Sequence, residues 1–269
     1  MTESLSFKEK SAFEKKSDFR VAIFGSGSES SEDDKQAMNY AKEISGSLIE
    51  QGFSIATGGY DNGVMKAANE GALEKINSKE NLGDEKELIK HFPFSKEATE
   101  TGVFGKSIND GEVTDSNSLT ERLGHLINES NAFVVTAGKF GTIIELLVAI
   151  HSQNLNGLVE NENTNKPIIV VDSSFSHLGT LVALVDSDPK LLKMHGIKDL
   201  YFSGGDEDWE KTTSEIIEKY YKQAAGEKLN EAETKSLSEK NFKYNYENWL
   251  TNAALAKHSL DKWLPGRGF

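Results

Sequence analysis

Three apolar runs in this chain each end abruptly in a glycine turn, and this repeated pattern restricts the fold more than any other feature. Arg20-Val21-Ala22-Ile23-Phe24 runs into Gly25-Ser26-Gly27-Ser28, and Phe53-Ser54-Ile55-Ala56-Thr57 runs into Gly58-Gly59. Ala132-Phe133-Val134-Val135-Thr136 runs into Ala137-Gly138-Lys139-Phe140-Gly141. Continuous apolar runs of this kind suit parallel strands covered by helices on both faces. Helical spacing follows each turn. Ala37, Ala41, Ile44 and Leu48 recur over 32–51, a second helix spans about 63–75, and a strongly apolar helix runs from Thr142 to about Ser152. Between these, Leu119, Leu123, Leu126 and Ile127 share one face of a helix over 118–130. Further strands are predicted over 98–104, 167–172 and 200–202. Alternation of strand and helix with short turns predicts a doubly wound, Rossmann-like α/β domain. Its sheet is mostly parallel, with helices on both faces and a helical extension at the C-terminus.

The boundaries follow from where that alternation starts and stops. Residues 1–18 read as a polar extension, with Leu5, Phe7 and Phe13 spaced for a short amphipathic helix. Residues 19–205 are expected to form the Rossmann-like domain. Within it, 77–96 is charged and poor in apolar residues and reads as an insertion carrying a surface helix. Residues 206–269 are polar and helical, and Trp209, Tyr220, Tyr221, Trp249 and Trp263 are candidate anchors against the core or a partner subunit.

Composition narrows the function classes. With 269 residues, 37% of them hydrophobic, the chain supports one sizeable core. A formal net charge of -13 repels phosphate backbones at long range, so nucleic acid is not an expected partner. A small anion can still bind where backbone N–H groups converge. The absence of cysteine excludes disulfides, thiolate catalysis and cysteine-held metals. The six histidines show no metal-ligand spacing, so no metal site is predicted. No apolar run approaches the roughly 20 residues that span a bilayer, and the N-terminus lacks the apolar middle of a signal peptide. A cytoplasmic location without membrane contact is therefore expected.

In doubly wound folds, ligands lie beyond the carboxyl ends of the strands, where helix N-termini expose amides. A glycine turn by itself usually serves only to reverse the chain; three on one sheet edge predict a phosphate crevice. Its candidate lining is Gly25, Ser26, Gly58, Gly59, Gly63, Gly138, Lys139, Gly141 and Thr142. Two common phosphate motifs are not met. Ser30 replaces the third glycine of G-x-G-x-x-G, and Glu100 stands where a P-loop ending in Gly105-Lys106-Ser107 needs its first glycine.

Thr57-Gly58-Gly59-Tyr60-Asp61-Asn62-Gly63-Val64-Met65 resembles the "GGG-xx-G-x-MG" region of the LOG-like family. Gly138-Lys139-Phe140-Gly141-Thr142-Ile143-Ile144-Glu145 resembles its "PGG-x-GT-xx-E" motif, and Leu119-Thr120-Glu121-Arg122 matches the helix that carries a family arginine. The resemblance covers roughly Arg20 to Ser173. Members include cytokinin-activating phosphoribohydrolases and proteins labelled "possible lysine decarboxylase". The resemblance implies hydrolysis of the N-glycosidic bond of a nucleoside 5′-monophosphate, releasing free base and ribose 5-phosphate. It also implies Arg122 and Glu145 as the catalytic pair, no cofactor, and a homodimer or higher homo-oligomer.

The residues suit these roles. Glu145 lies four positions after Gly141, so both face one crevice, and a carboxylate there can bind ribose hydroxyls and stabilise an oxocarbenium ion. Arg122 can anchor phosphate or polarise the leaving base. Simpler roles are also open. Glu145 fits as a first-turn acid favoured by the helix dipole, Arg122 as a partner of Glu121 or Glu129, and Lys139 as a surface lysine. The chain departs from the family pattern in having Ala137-Gly138-Lys139 for Pro-Gly-Gly, and Leu123 for the basic residue after the arginine. The alternative reading is a non-catalytic carrier or sensor of a nucleotide or phosphorylated cofactor, built on the same fold.

Overall fold

A computed structural model describes residues 13, 15–78, 85–94, 108, 110–159, 166–171, 200–202 and 208–240. It contains one sheet of seven strands: β1 (Arg20–Phe24), β2 (Ser54–Thr57), β3 (Ile89–His91), β4 (Glu112–Val113), β5 (Ala132–Thr136), β6 (Ile168–Val171) and β7 (Leu200–Phe202). Every pairing is parallel, in the order β4-β3-β2-β1-β5-β6-β7. The chain winds outward from β1 through β2 and β3 to β4, then crosses back and winds outward again from β5 to β7. The reversal falls between β1 and β5. In doubly wound sheets such a reversal is where ligands lie, beyond the carboxyl ends of the strands.

Strand periodicity divides the core in two. Val21 and Ile23 of β1, Ile55 of β2 and Val134 of β5 face helices α1 (Glu32–Glu50) and α2 (Gly63–Ser78). Ala22, Phe24, Ala56, Phe133 and Val135 face α3 (Leu119–Asn128) and α4 (Phe140–Val159). Each fully buried large apolar side chain contributes about 1.5–3 kcal/mol. Capping sets where two of these helices begin. Ser31 and Asp34 form a reciprocal capping box on α1, and the Ser118 hydroxyl accepts the Glu121 amide at 3.0 Å to start α3.

Two further helices, α5 (Trp209–Ala224) and α6 (Glu231–Lys240), lie on the α1 side. Trp209 meets Tyr40 edge-on with centroids 4.5 Å apart, and Tyr221 packs against Phe19 and Phe53. The anchor positions Trp249 and Trp263, and the amphipathic spacing of Leu5 and Phe7, fall outside the described residues.

One expectation needs revision. The stretch 77–96, read from sequence as an insertion, contains β3, a strand hydrogen-bonded within the sheet and flanked by the buried Phe92. The strand expected over 98–104 lies outside the described residues. Among the described residues, no helix is long and apolar enough to cross a membrane.

Candidate functional site

The three glycine turns meet beyond the strand ends, and Ser26 ties them together. Its amide donates to the Ala137 carbonyl at 3.0 Å, while its carbonyl accepts the Val64 amide at 2.8 Å. The turn after β1 is thereby bonded to the turn after β5 and to the first turn of α2. The approach is close enough to dictate residue type. Gly63 has φ +50°, and a Cβ there would overlap the Ser26 carbonyl oxygen. Gly138 lies against the Ser26 amide and the Thr142 side chain, and Gly25 against Thr136 and Val64.

These candidates fall into an inner and an outer set. Ser26 and Thr142 are only 2% and 3% exposed, so they brace the turns from within. Lys139 and Gly141 are exposed at the start of α4, and the space where a Gly141 Cβ would sit is open. Gly59 turns elsewhere, toward Pro93 on the β3 side, and its carbonyl accepts the Ile108 amide at 2.9 Å.

Arg122 and Glu145 come from facing helices, α3 and α4. Arg122 Nη1 donates to Glu145 Oε1 at 3.2 Å. The pair is nearly enclosed, with side-chain exposures of 9% and 13%. Burial pushes the Glu145 carboxyl above its usual range, and the Arg122 charge and hydrogen bond offset part of that rise. Three other groups frame the arginine. Its Nε donates to the Phe92 carbonyl at 3.0 Å, and its Cζ lies 5.7 Å from the centre of the Tyr60 ring. Its Nη2 points at Gly58, where a Cβ would overlap it and stand 2.7 Å from Met65 Sδ. Gly58 thus makes room for the guanidinium.

Three contributors escaped the sequence reading: Phe92, Tyr60 and Glu29. Phe92 follows the strand that charge concealed, and its contribution is a backbone carbonyl, which no motif reports. Tyr60 sits inside the glycine motif, so the motif itself was the available signal. Glu29, in the loop after β1, accepts the Gly63 amide at 3.1 Å and so places a carboxylate on the N-terminus of α2. His125, one turn beyond Arg122, turns to a structural task. Its Nδ1 shares a hydrogen bond with Glu129 at 3.0 Å, and its ring stacks on Phe92. Among the described residues no cluster of three or more acidic or imidazole side chains could hold a metal ion.

The site can therefore present amides and a cation to an anion, with a buried carboxylate beside them. Comparison with known proteins gives two family matches. Residues 65–196, which include Arg122 and Glu145, match the family described as "Possible lysine decarboxylase". Residues 12–103, which include the first two glycine turns, match the "Sir2- and TIR-associating SLOG family". Comparison with curated proteins gives no match. Among solved structures, the molybdenum cofactor carrier protein of Chlamydomonas reinhardtii is 13% identical with a TM-score of 0.50, covering 74% of this chain and 98% of its own. The molybdenum cofactor binding protein of Rippkaea orientalis is 15% identical with a TM-score of 0.49, covering 74% of this chain and 97% of its own. At 13% identity the likeness to the Chlamydomonas reinhardtii protein bears on the fold alone. Over residues 65–196, which hold the helix-borne arginine and the helix-borne glutamate, the chain is similar to the LOG-like, "possible lysine decarboxylase" family.

Proposed function

We propose that the protein hydrolyses the N-glycosidic bond of a nucleoside 5′-monophosphate. Water adds across the bond, and free base and ribose 5-phosphate leave. The observation that carries this reading is the enclosed Arg122–Glu145 pair at 3.2 Å, set beside the turns at the sheet's switch point. The exposed start of α4 at Lys139 and Gly141 supplies amides and a cation for the 5′-phosphate. Glu145 then faces the ribose, where its charge stabilises the oxocarbenium character of the transition state. Arg122 holds that carboxylate in place and turns its remaining donors toward phosphate or departing base. The reaction requires neither metal nor organic cofactor.

The direct test is a panel of nucleoside monophosphates assayed by chromatography for free base and ribose 5-phosphate. Loss of product in Arg122→Ala and in Glu145→Gln, with the fold retained, supports the assigned roles. Wild-type rates in either variant refute that residue's role.

A second reading, a non-catalytic carrier or sensor, is favoured by Lys139, an exposed cation where the family pattern has the second glycine of its turn. Such a cation strengthens anion binding without helping bond cleavage. Tight nucleotide binding with no base released is the signature of that reading.

Self-association accompanies both readings. Phe140 is 74% exposed and Leu119 and Leu147 are also open, which supports a homodimer with the α3–α4 face inside it. Sedimentation of wild type against Phe140→Asp tests this: a dimer that dissociates is expected, and a monomeric wild type contradicts it.

A further inference from the structure

We propose that Tyr60 is a positioning residue for Arg122, its ring holding the guanidinium plane so that Nη2 stays directed at the Gly58 turn. The role is defined for the reaction proposed above, but the orientation it sets can be measured without turnover.

A guanidinium is planar, and bonds at its edge fix it only within that plane. Arg122 has two such bonds, Nε to the Phe92 carbonyl at 3.0 Å and Nη1 to Glu145 Oε1 at 3.2 Å. Two points of attachment define only a line, so the plane can still tilt about it. Tyr60 opposes that tilt, because its ring centre lies 5.7 Å from Arg122 Cζ, within the range where a cation is attracted to an aromatic face. Tyr60 is itself held. It is buried, and its hydroxyl accepts the Phe94 amide at 2.8 Å. That bond joins the turn after β2 to the segment after β3, the same segment that supplies the Phe92 carbonyl. One rigid unit thus carries both the ring under the guanidinium and the acceptor at its edge. The remaining nitrogen, Nη2, points toward Gly58, where the missing side chain leaves it space.

A tyrosine that only filled the core would be replaceable by any apolar side chain of similar size. A positioning ring would not, and this difference decides the test. The sequence has three arginines, Arg20, Arg122 and Arg267, so the arginine Nε region of a nitrogen–proton correlation spectrum holds three signals. Arg122→Lys identifies the one from Arg122. In wild type that signal should be displaced by the Tyr60 ring current and exchange slowly with solvent. Tyr60→Phe keeps the ring in the buried site but loses the Phe94 bond, so it should preserve the displacement and most of the slow exchange. Tyr60→Leu should remove the displacement and speed exchange roughly tenfold or more, with the circular dichroism unchanged. If Tyr60→Leu does not fold, Tyr60→Met carries the same expectation.

Turnover gives a second readout. Tyr60→Leu should lower kcat by roughly 10- to 100-fold with KM within about twofold, as misplacement of a reacting group does. Tyr60→Phe should stay near wild type. An Arg122 Nε signal that keeps its shift and slow exchange in Tyr60→Leu overturns the proposal, and so does an equal loss of kcat in Tyr60→Phe. Absence of base release from the wild type would count against the hydrolase alone, since the Arg122 signal still decides the positioning role.

Discussion

The Glu145 carboxylate on α4 meets the Arg122 guanidinium on α3 at 3.2 Å, and both side chains are nearly enclosed. Two charges removed from water are tolerated because each neutralises the other and further bonds satisfy the guanidinium. The same pair links the two helices that cover one face of the sheet. Function and stability therefore meet in it, and separating them requires choosing the substitution with care.

Truncation to Glu145→Ala leaves a buried guanidinium without its charge partner and should cost roughly 3–5 kcal/mol of stability. Glu145→Gln keeps an acceptor for Arg122 and should cost far less, while lowering turnover by roughly 10²- to 10³-fold. Urea unfolding of the two variants beside wild type checks the first claim. Equal stabilities for Ala and Gln would show that the acceptor kept at position 145 contributes nothing to holding Arg122.

The acidity of Glu145 sets a pH dependence. Its carboxyl titrates above the reference value of 4.5 because burial disfavours the charged form. If the ionised carboxylate is the working form, the acidic limb of kcat/KM lies above 4.5. The stability effect has the matching sign. The folded state binds this proton more tightly than the unfolded state, so the contribution of Glu145 to stability declines as pH rises from 4.5 through the folded value. An acidic limb at or below 4.5 would contradict the role of a buried carboxylate.

Gly58→Ala tests the space reserved for the arginine. The new methyl would overlap Arg122 Nη2 and crowd Met65. Overpacking of this kind costs roughly 1–3 kcal/mol, but the end of the arginine can move aside. We therefore expect turnover to fall at least about 10-fold from misplacement of the guanidinium, with a smaller fall in melting temperature. Unchanged kcat in a folded Gly58→Ala would mean that Arg122 works from another position.

Glu29 holds the N-terminus of α2 through its 3.1 Å bond to the Gly63 amide, so its charge would repel an anion held in the neighbouring turns. An anion in such a place is worth about 0.3–1 kcal/mol. Glu29→Ala should therefore tighten nucleotide binding by roughly two- to fivefold, read by isothermal titration. Glu32→Gln, at an exposed acid in the first turn of α1, controls for a simple change in net charge. Equal tightening in the control would assign the effect to net charge, and weaker binding in Glu29→Ala would place Glu29 among the ligand's partners.

Much of this architecture is legible in the sequence, for identifiable reasons. β1, β2, β5 and β6 are buried on both faces and read as continuous apolar runs, and the Ser118 cap marks the start of α3 within one residue. β3 was concealed because it carries Lys90 and His91 inside the sheet. Lys90 is tolerated there by ion pairs to Glu112 and Glu129, each at 2.8 Å. His91 shares a 2.9 Å hydrogen bond with Thr57, and burial pushes its pKa down to about 4, so it stays neutral. Both compensations come from residues distant in sequence, and no local pattern announces them. The site divides in the same way. Arg122 and Glu145 are singled out by the family resemblance, and the structure brings the two side chains together, whereas the Phe92 carbonyl and the Tyr60 ring act through contacts that only folding creates.

The most direct test of the central claim is release of free base and ribose 5-phosphate from nucleoside 5′-monophosphates by the wild type and by Glu145→Gln. The account predicts stoichiometric release of both products by the wild type and their near-complete loss in the folded variant. Intact nucleotide after prolonged incubation with a wild type that binds it, or undiminished release by Glu145→Gln, would contradict it.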